Sequence, residues 1–175
     1  MNRLFPVPMR GVVIGMLLVF AASVTAATIW SFRSGIMWTG ICLLAVAVPI
    51  TALYWYMLYV NPSRTRIIVD EGRVFVEAPP FLRATVTLDT VTRAFVTDLD
   101  TDETLNPLKK ERCMAYFGYR SGMFMLPAGR EAVVVSRSSR VLCLKTPDLF
   151  YILGPKDLDG LVEAVRASIP VDTGN

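Results

Sequence analysis

From Gly11 to Pro62 the chain carries one charged side chain, Arg33, in an otherwise apolar stretch, and from Arg64 onward charged and apolar residues mix at short intervals. The uncharged runs from Gly11 to Phe32 and from Ser34 to Ser63 each exceed the roughly 20 residues that cross a bilayer core as a helix. The pattern predicts a transmembrane helical hairpin over residues 11–62, with spans at 11–32 and 35–60 and a turn at Ser31-Phe32-Arg33-Ser34-Gly35. Trp30 and Trp38 near the turn, and Tyr54, Trp55, Tyr56 and Tyr59 at the far end, suit two headgroup belts. Pro49 is expected to bend the second helix. Neither span holds an ionisable residue in its interior to mark an ion or proton path, which argues against a pore or a pump.

Gly11, Gly15, Ala22 and Ala26 recur at spacings of four and seven and form a small-residue face, on which the second helix, or a second copy, can pack closely. The first ten residues hold Pro6 and Pro8 between Phe5, Val7 and Met9 and are expected to run irregularly at the interface. A basic start and Val24-Thr25-Ala26 also fit a secretory signal with its cleavage site, but the apolar run is longer than the typical 7–15 residues of a signal core. Arg3, Arg10, Arg64 and Arg66 stand on one side of the hairpin against Arg33 on the other, so the positive-inside rule puts both termini in the cytoplasm.

After Pro62 the period changes to that of strands. Thr65 to Asp70 and Arg73 to Ala78 read as a hairpin turning at Asp70-Glu71-Gly72, and Pro79-Pro80 ends it. Ala84 to Leu88 and Val91 to Asp98 follow. The polar stretch from Asp98 to Arg112, with Pro107, reads as a loop and Met114 to Phe117 as a short strand. Ala132 to Ser136 and Val141 to Lys145 are expected to pair across Arg137-Ser138-Ser139-Arg140, and Phe150 to Leu153 is the last strand. A helix from Pro155 to Ile169 puts Leu158, Leu161, Val162, Val165 and Ile169 on one face, and residues 170–175 are a tail. The expected fold is an α+β, mainly antiparallel barrel or sandwich over residues 64–169, capped by the C-terminal helix.

Charge narrows the partners. Three of the 18 Lys and Arg lie before residue 64, and the rest balance the 15 Asp and Glu, all of which lie beyond it. The positive excess therefore belongs to the membrane flanks, and nucleic acid is not indicated. There is no His, which removes the commonest general base and transition-metal ligand. Cys42, Cys113 and Cys143 are odd in number and widely spaced, a pattern without a disulfide framework or thiolate metal site.

Gly118-Tyr119-Arg120-Ser121-Gly122-Met123-Phe124 leading to Gly129-Arg130-Glu131-Ala132-Val133, and Tyr151-Ile152-Leu153-Gly154-Pro155-Lys156-Asp157-Leu158 before the last helix, resemble the bacterial pleckstrin-homology-like domain family, over roughly Arg64 to Ala167. The resemblance implies a seven-stranded bent sheet with a C-terminal helix, used for binding or assembly and often joined to a two-helix membrane hairpin. Inositide recognition is not implied: the first hairpin turns at Asp70-Glu71-Gly72 with only Arg73 beside it, where phosphoinositide-binding members carry basic residues.

Several local clusters bear on chemistry. Asp98, Asp100 and Asp102 have the alternate spacing of a calcium loop, but Glu103 replaces its glycine and Lys109 its final glutamate, so a solvated acidic loop is expected and no metal. Arg10, Arg64, Arg66, Lys109, Lys110 and Arg112 are candidates for contact with lipid headgroups, each near-surface cation contributing about 1 kcal/mol. Met123, Phe124 and Met125, followed by Leu126, are either strand core or a partner patch. Ser136, Ser138 and Ser139 near Lys145 lack the positioned base that an activated serine requires. These features lead to a membrane-anchored binding or scaffold module, not an enzyme, with no cofactor and no small-molecule substrate. Its partners are the bilayer and a protein or a second copy. The alternatives are an accessory subunit of a membrane transport complex and a metal-dependent enzyme using Asp98 to Glu103.

Overall fold

The computed structural model describes residues 3–80, 82–106 and 109–173, apart from the side chains of residues 109–112, 128 and 173. It divides into two compact units: the residues up to Pro8 together with those from Ser63 onward, and Met9–Pro62 between them. The first unit opens with β1 (Arg3–Pro6), which pairs antiparallel with β2 (Arg66–Asp70), Phe5 opposite Ile67. The amino-terminal segment is thus a strand and not an irregular interfacial stretch. Pro6 is tolerated because it ends an edge strand, where a missing N–H costs little.

The inserted unit is a helical hairpin. Its first helix is α1 (Gly11–Arg33); the second runs through α2 (Met37–Trp55), a π-helical turn (Tyr56–Val60) and a final turn α3 (Asn61–Arg64). Both helices are long and apolar enough to span a membrane, with mean hydropathy 2.4 and 2.0, and only 17% and 6% of their apolar stretches are buried within the protein. The buried positions of α1 include Leu17, Thr28 and Ser31. At about 100° per residue these lie roughly opposite Gly11, Gly15, Ala22 and Ala26, all four of which are exposed. The small-residue face is therefore not where the two helices of the hairpin meet, and it stays open for a second copy. The glycine that permits close approach is Gly40 of α2: a Cβ there would meet the Phe32 ring at 2.9 Å.

In the other unit, β2, β3 (Arg73–Ala78) and β4 (Leu82–Thr87) form an antiparallel sheet in the order β1-β2-β3-β4. The β2–β3 turn has positive φ at both Glu71 and Gly72 (42° and 75°), the two-residue geometry that matches strand twist. A second sheet contains β5 (Arg93–Asp98), β6 (Lys109–Tyr116), β7 (Tyr119–Met125), β8 (Glu131–Ser136), β9 (Arg140–Lys145), β10 (Phe150–Gly154) and β11 (Val171–Thr173), in the order β11-β5-β9-β10-β8-β7-β6. Neither sheet closes on itself among the described residues, so the architecture is two open, mostly antiparallel sheets with a helix and not a barrel. Strand β6 begins at Lys109, which shortens the expected loop; Pro107 lies outside the described residues.

β8 and β9 do not pair with each other. β10 lies between them, antiparallel to β9 and parallel to β8. Gly154 makes the insertion possible: a Cβ there would sit 2.7 Å from Ser136 Cβ and 3.1 Å from Val141 Cγ1. Arg137 N–H donates to Gly154 O at 3.0 Å, which ties the end of β10 to the chain as it leaves β8. These three central strands are almost wholly buried.

α4 (Leu158–Arg166) starts three residues after the expected Pro155. Asp157 is its N-cap, accepting from the Gly160 N–H at 3.0 Å; a cap side chain that bonds the N3 N–H outranks proline's preference for the first turn. Leu158, Leu161, Val162, Ala164 and Val165 are buried, and the helix packs on β2 and β9, one strand from each sheet. Thr65, just before β2, shares a buried 2.9 Å hydroxyl contact with Tyr119 of β7. Burial raises the Tyr119 pKa, partly opposed by its hydrogen bonds to Thr65 and Ser121.

Candidate functional site: a cationic cleft on the second sheet

Cross-strand register sets up the site. Arg93 of β5 lies opposite Lys145 of β9, and Lys145 opposite Phe150 of β10. Two residues along each strand, Phe95, Cys143 and Ile152 form the next row, and since side chains alternate with a period of two, both rows share a face. That face is covered around the second row by Leu99 and Leu105 from the loop after β5 and by Leu126 after β7, which form one core cluster with Phe124, Val134 and Ile152. The cover stops at the Phe150 row, and a cleft opens there.

Its main cavity, about 560 Å3, is bounded by Arg93, Phe95, Asp102, Arg130, Lys145 and Phe150. A second, of about 500 Å3, adjoins it and shares Arg130, Lys145 and Phe150, with Thr146 and Asp148 added. The cations ride on aromatic rings: Arg93 Cζ is 5.0 Å from the Phe95 centroid, Arg130 Cζ 5.7 Å from that of Phe150, and Lys145 Nζ 6.0 Å from the same ring. Such contacts contribute about 0.5–1 kcal/mol at exposed sites; here they mainly hold flexible side chains over a fixed floor.

The floor is tied down by hydrogen bonds. Thr92 donates to Lys145 O through both its N–H (2.8 Å) and its hydroxyl (3.0 Å). Thr146 Oγ1 donates to Leu149 O at 2.8 Å and accepts from Leu149 N–H at 3.1 Å. Leu126 N–H donates to Arg130 O at 2.7 Å, closing the turn that presents Arg130. Beneath the loop wall, Cys143 is fully buried, and burial, with the nearby Asp102 carboxylate, pushes its thiol up to about 12. Asp172 of β11 lies 3.4 Å from Arg93 Nε.

The acidic loop turns inward on itself. Asp98 Oδ1 accepts from Asp100 N–H at 3.0 Å, while Asp102 Oδ1 accepts from Thr104 N–H at 3.0 Å and from its hydroxyl at 2.6 Å. Among the described residues no three His, Cys, Asp or Glu side chains come together as a metal site. Arg10 and Arg64 are exposed, and Arg66 is held by Glu77 across the β2–β3 pair at 2.6 Å. The side chains of Lys109, Lys110 and Arg112 lie outside the described residues; their backbone is the start of β6 and not a loop. Phe124 is a core residue, 2% exposed, with Met123 and Met125 half-buried beside it, so these three do not form an open patch. Ser136 Oγ donates to Ser138 O at 2.9 Å and Ser138 Oγ to Arg140 O at 3.1 Å; both hydroxyls shape a turn.

The sequence does not mark the cleft cations as binding residues; it draws attention to Lys145 only for its nearness to Ser136, Ser138 and Ser139. Arg93, Arg130 and Lys145 are far apart along the chain, each has an ordinary neighbourhood, and only register brings them together.

The hairpin holds a separate apolar groove of about 770 Å3, walled by Val24, Thr28, Phe32, Ala47, Thr51 and Trp55. Thr28 turns its hydroxyl back to Val24 O at 2.8 Å, as Thr25 does to Ala21 O, so the groove gains little polarity from either. No family model matches the chain, and neither a curated protein nor a solved structure shows significant similarity to it.

Proposed function

We propose that this chain is a membrane-anchored binding module. The hairpin holds it in the inner membrane by two spans with both termini cytoplasmic, and a pleckstrin-homology-like β-domain recruits a protein partner or a second copy beside the bilayer. The observation that carries the reading is the pairing of β1 with β2. The chain leaves the β-domain, forms two helices long and apolar enough to cross a bilayer, and re-enters the same sheet. Both ends of the helical insert are therefore bound to one folded body, as a two-span anchor requires. The cationic flanks favour the cytoplasmic side for that body. Anchoring raises the effective concentration of the domain for partners at the membrane, so a modest intrinsic affinity suffices. The pairing also argues against a cleaved signal, because cutting after Ala26 would remove β1 from its sheet.

Two experiments test the reading. In a variant lacking Cys42, Cys113 and Cys143, a cysteine at Ser34 is expected to react with an impermeant maleimide added to intact cells, and one at Ser63 only after lysis; labelling of Ser63 from outside overturns the topology. In-cell crosslinking followed by purification in mild detergent is expected to recover a partner or an oligomer. Finding neither defeats the binding role, and stoichiometric recovery with larger membrane proteins replaces it with that of a transport-complex subunit.

A further inference from the structure

We propose that the cleft along β5, β9 and β10 is a docking groove for an acidic peptide segment of a partner protein. Carboxylates would seat on Arg93, Arg130 and Lys145, and an apolar side chain against Phe95 and Leu126. The inference rests on the binding-module reading and specifies its recognition chemistry.

Three observations favour this occupant. The cleft comprises two neighbouring cavities that share Arg130, Lys145 and Phe150. A compact ligand fills one of them, whereas an extended chain, advancing about 3.3 Å per residue, runs through both. The charge is also complementary. Among the residues that line the two cavities, Arg93, Arg130 and Lys145 outnumber two carboxylates: Asp102 in the main cavity, already engaged by threonine donors, and Asp148 in the second. The cations come from separate elements, β5, the turn before β8, and β9, which suits several separate carboxylates along a chain. Finally, the protein supplies a pattern for the contact: β11 adds to the edge of β5 as an extended strand and presents Asp172 to Arg93. An acidic side chain carried on extended backbone thus already pairs with a cleft cation, and an incoming segment competes with it.

The test uses the intact protein in a neutral detergent and a fluorescein-labelled, glutamate-rich peptide with one central leucine, followed by anisotropy against empty micelles. Saturable binding that weakens with added salt is expected. Arg130→Ala with Lys145→Ala should weaken it about tenfold or more, and Asp172→Asn should tighten it by removing the internal competitor. Arg130→Glu with Lys145→Glu should exchange preference, losing the glutamate peptide and gaining its lysine counterpart, which a merely misfolded variant does not do. No binding, unchanged affinity in the double alanine variant, or displacement of the peptide by inorganic phosphate but not by chloride at equal ionic strength overturns the proposal. A cellular partner that crosslinks equally to wild type and to the double alanine variant preserves the binding-module reading and removes the cleft from it. A protein without a cellular partner that still binds the peptide does the reverse.

Discussion

The hairpin and the β-domain place their apolar side chains in opposite directions. On α1 and α2 large residues such as Val19, Trp30, Trp38 and Leu53 are exposed, and a narrow stripe with Gly40 makes the helix–helix contact. On β8, β9 and β10 nearly every residue is buried, on both faces of the sheet, and α4 is apolar on one face only. In the domain the large apolar side chains are inside; in the hairpin most of them stay on the outer surface of two helices long and apolar enough to span a membrane. Loss of bulk should therefore cost far more in one region than in the other.

Leu142→Ala should have the largest effect. The residue is fully buried in β9, and truncations of that kind cost about 2–5 kcal/mol, read as a lower denaturant midpoint for the domain. Gly154→Val tests the insertion of β10: with Ser136 and Val141 already at contact, overpacking should cost about 1–3 kcal/mol. Asp157→Ala removes the α4 cap for about 1 kcal/mol. Leu53→Ala, exposed on α2, should leave the domain's unfolding within about 0.5 kcal/mol of wild type; a loss as large as that of Leu142→Ala would defeat the contrast. The ionisation of Cys143 has no effect near neutrality and matters only in alkali. Its pKa is raised on folding from 9.0 to about 12, so the unfolded chain ionises first. The stability it contributes is fully present below pH 9 and is lost as pH rises toward 12. Titrating unfolding free energy over that range should show the alkaline decline, and Cys143→Ala should flatten it.

The two regions also differ in how far the sequence reveals them. Charge-free runs longer than a bilayer span can be read directly, and so can the α4 face and the Asp70-Glu71-Gly72 turn, because each depends on residues close together in the chain. Pairing over distance cannot be read this way. β1 has only four residues, too few for a period, and its partner lies beyond the whole hairpin. β11 is shorter still and joins β5 from the far end of the chain. The pattern of β8 and β9 suggests a hairpin, since nothing in either strand shows that a later one will separate them; only Gly154, small where Phe150 to Leu153 are large, hints at it. The small residues of α1 do not mark the contact within the hairpin, for a related reason. Glycine and alanine permit close approach, but bulkier Leu17 and Thr28 supply the contact area. The cleft was hidden because its cations are neighbours by register, whereas sequence runs such as Lys109, Lys110 and Arg112 draw attention to charges that are neighbours by number.

The β1–β2 pairing also has a consequence in time. During synthesis β1 leaves the ribosome before either helix, and β2 only after both, so the first strand must wait with its edge unsatisfied until the entire insert has been made. An unpaired strand of this kind is the usual seed of misassembly. Completion of the first sheet then depends on the insert having folded back on itself, and the finished domain carries a record of it. A chain whose helices fail to return together never closes that sheet.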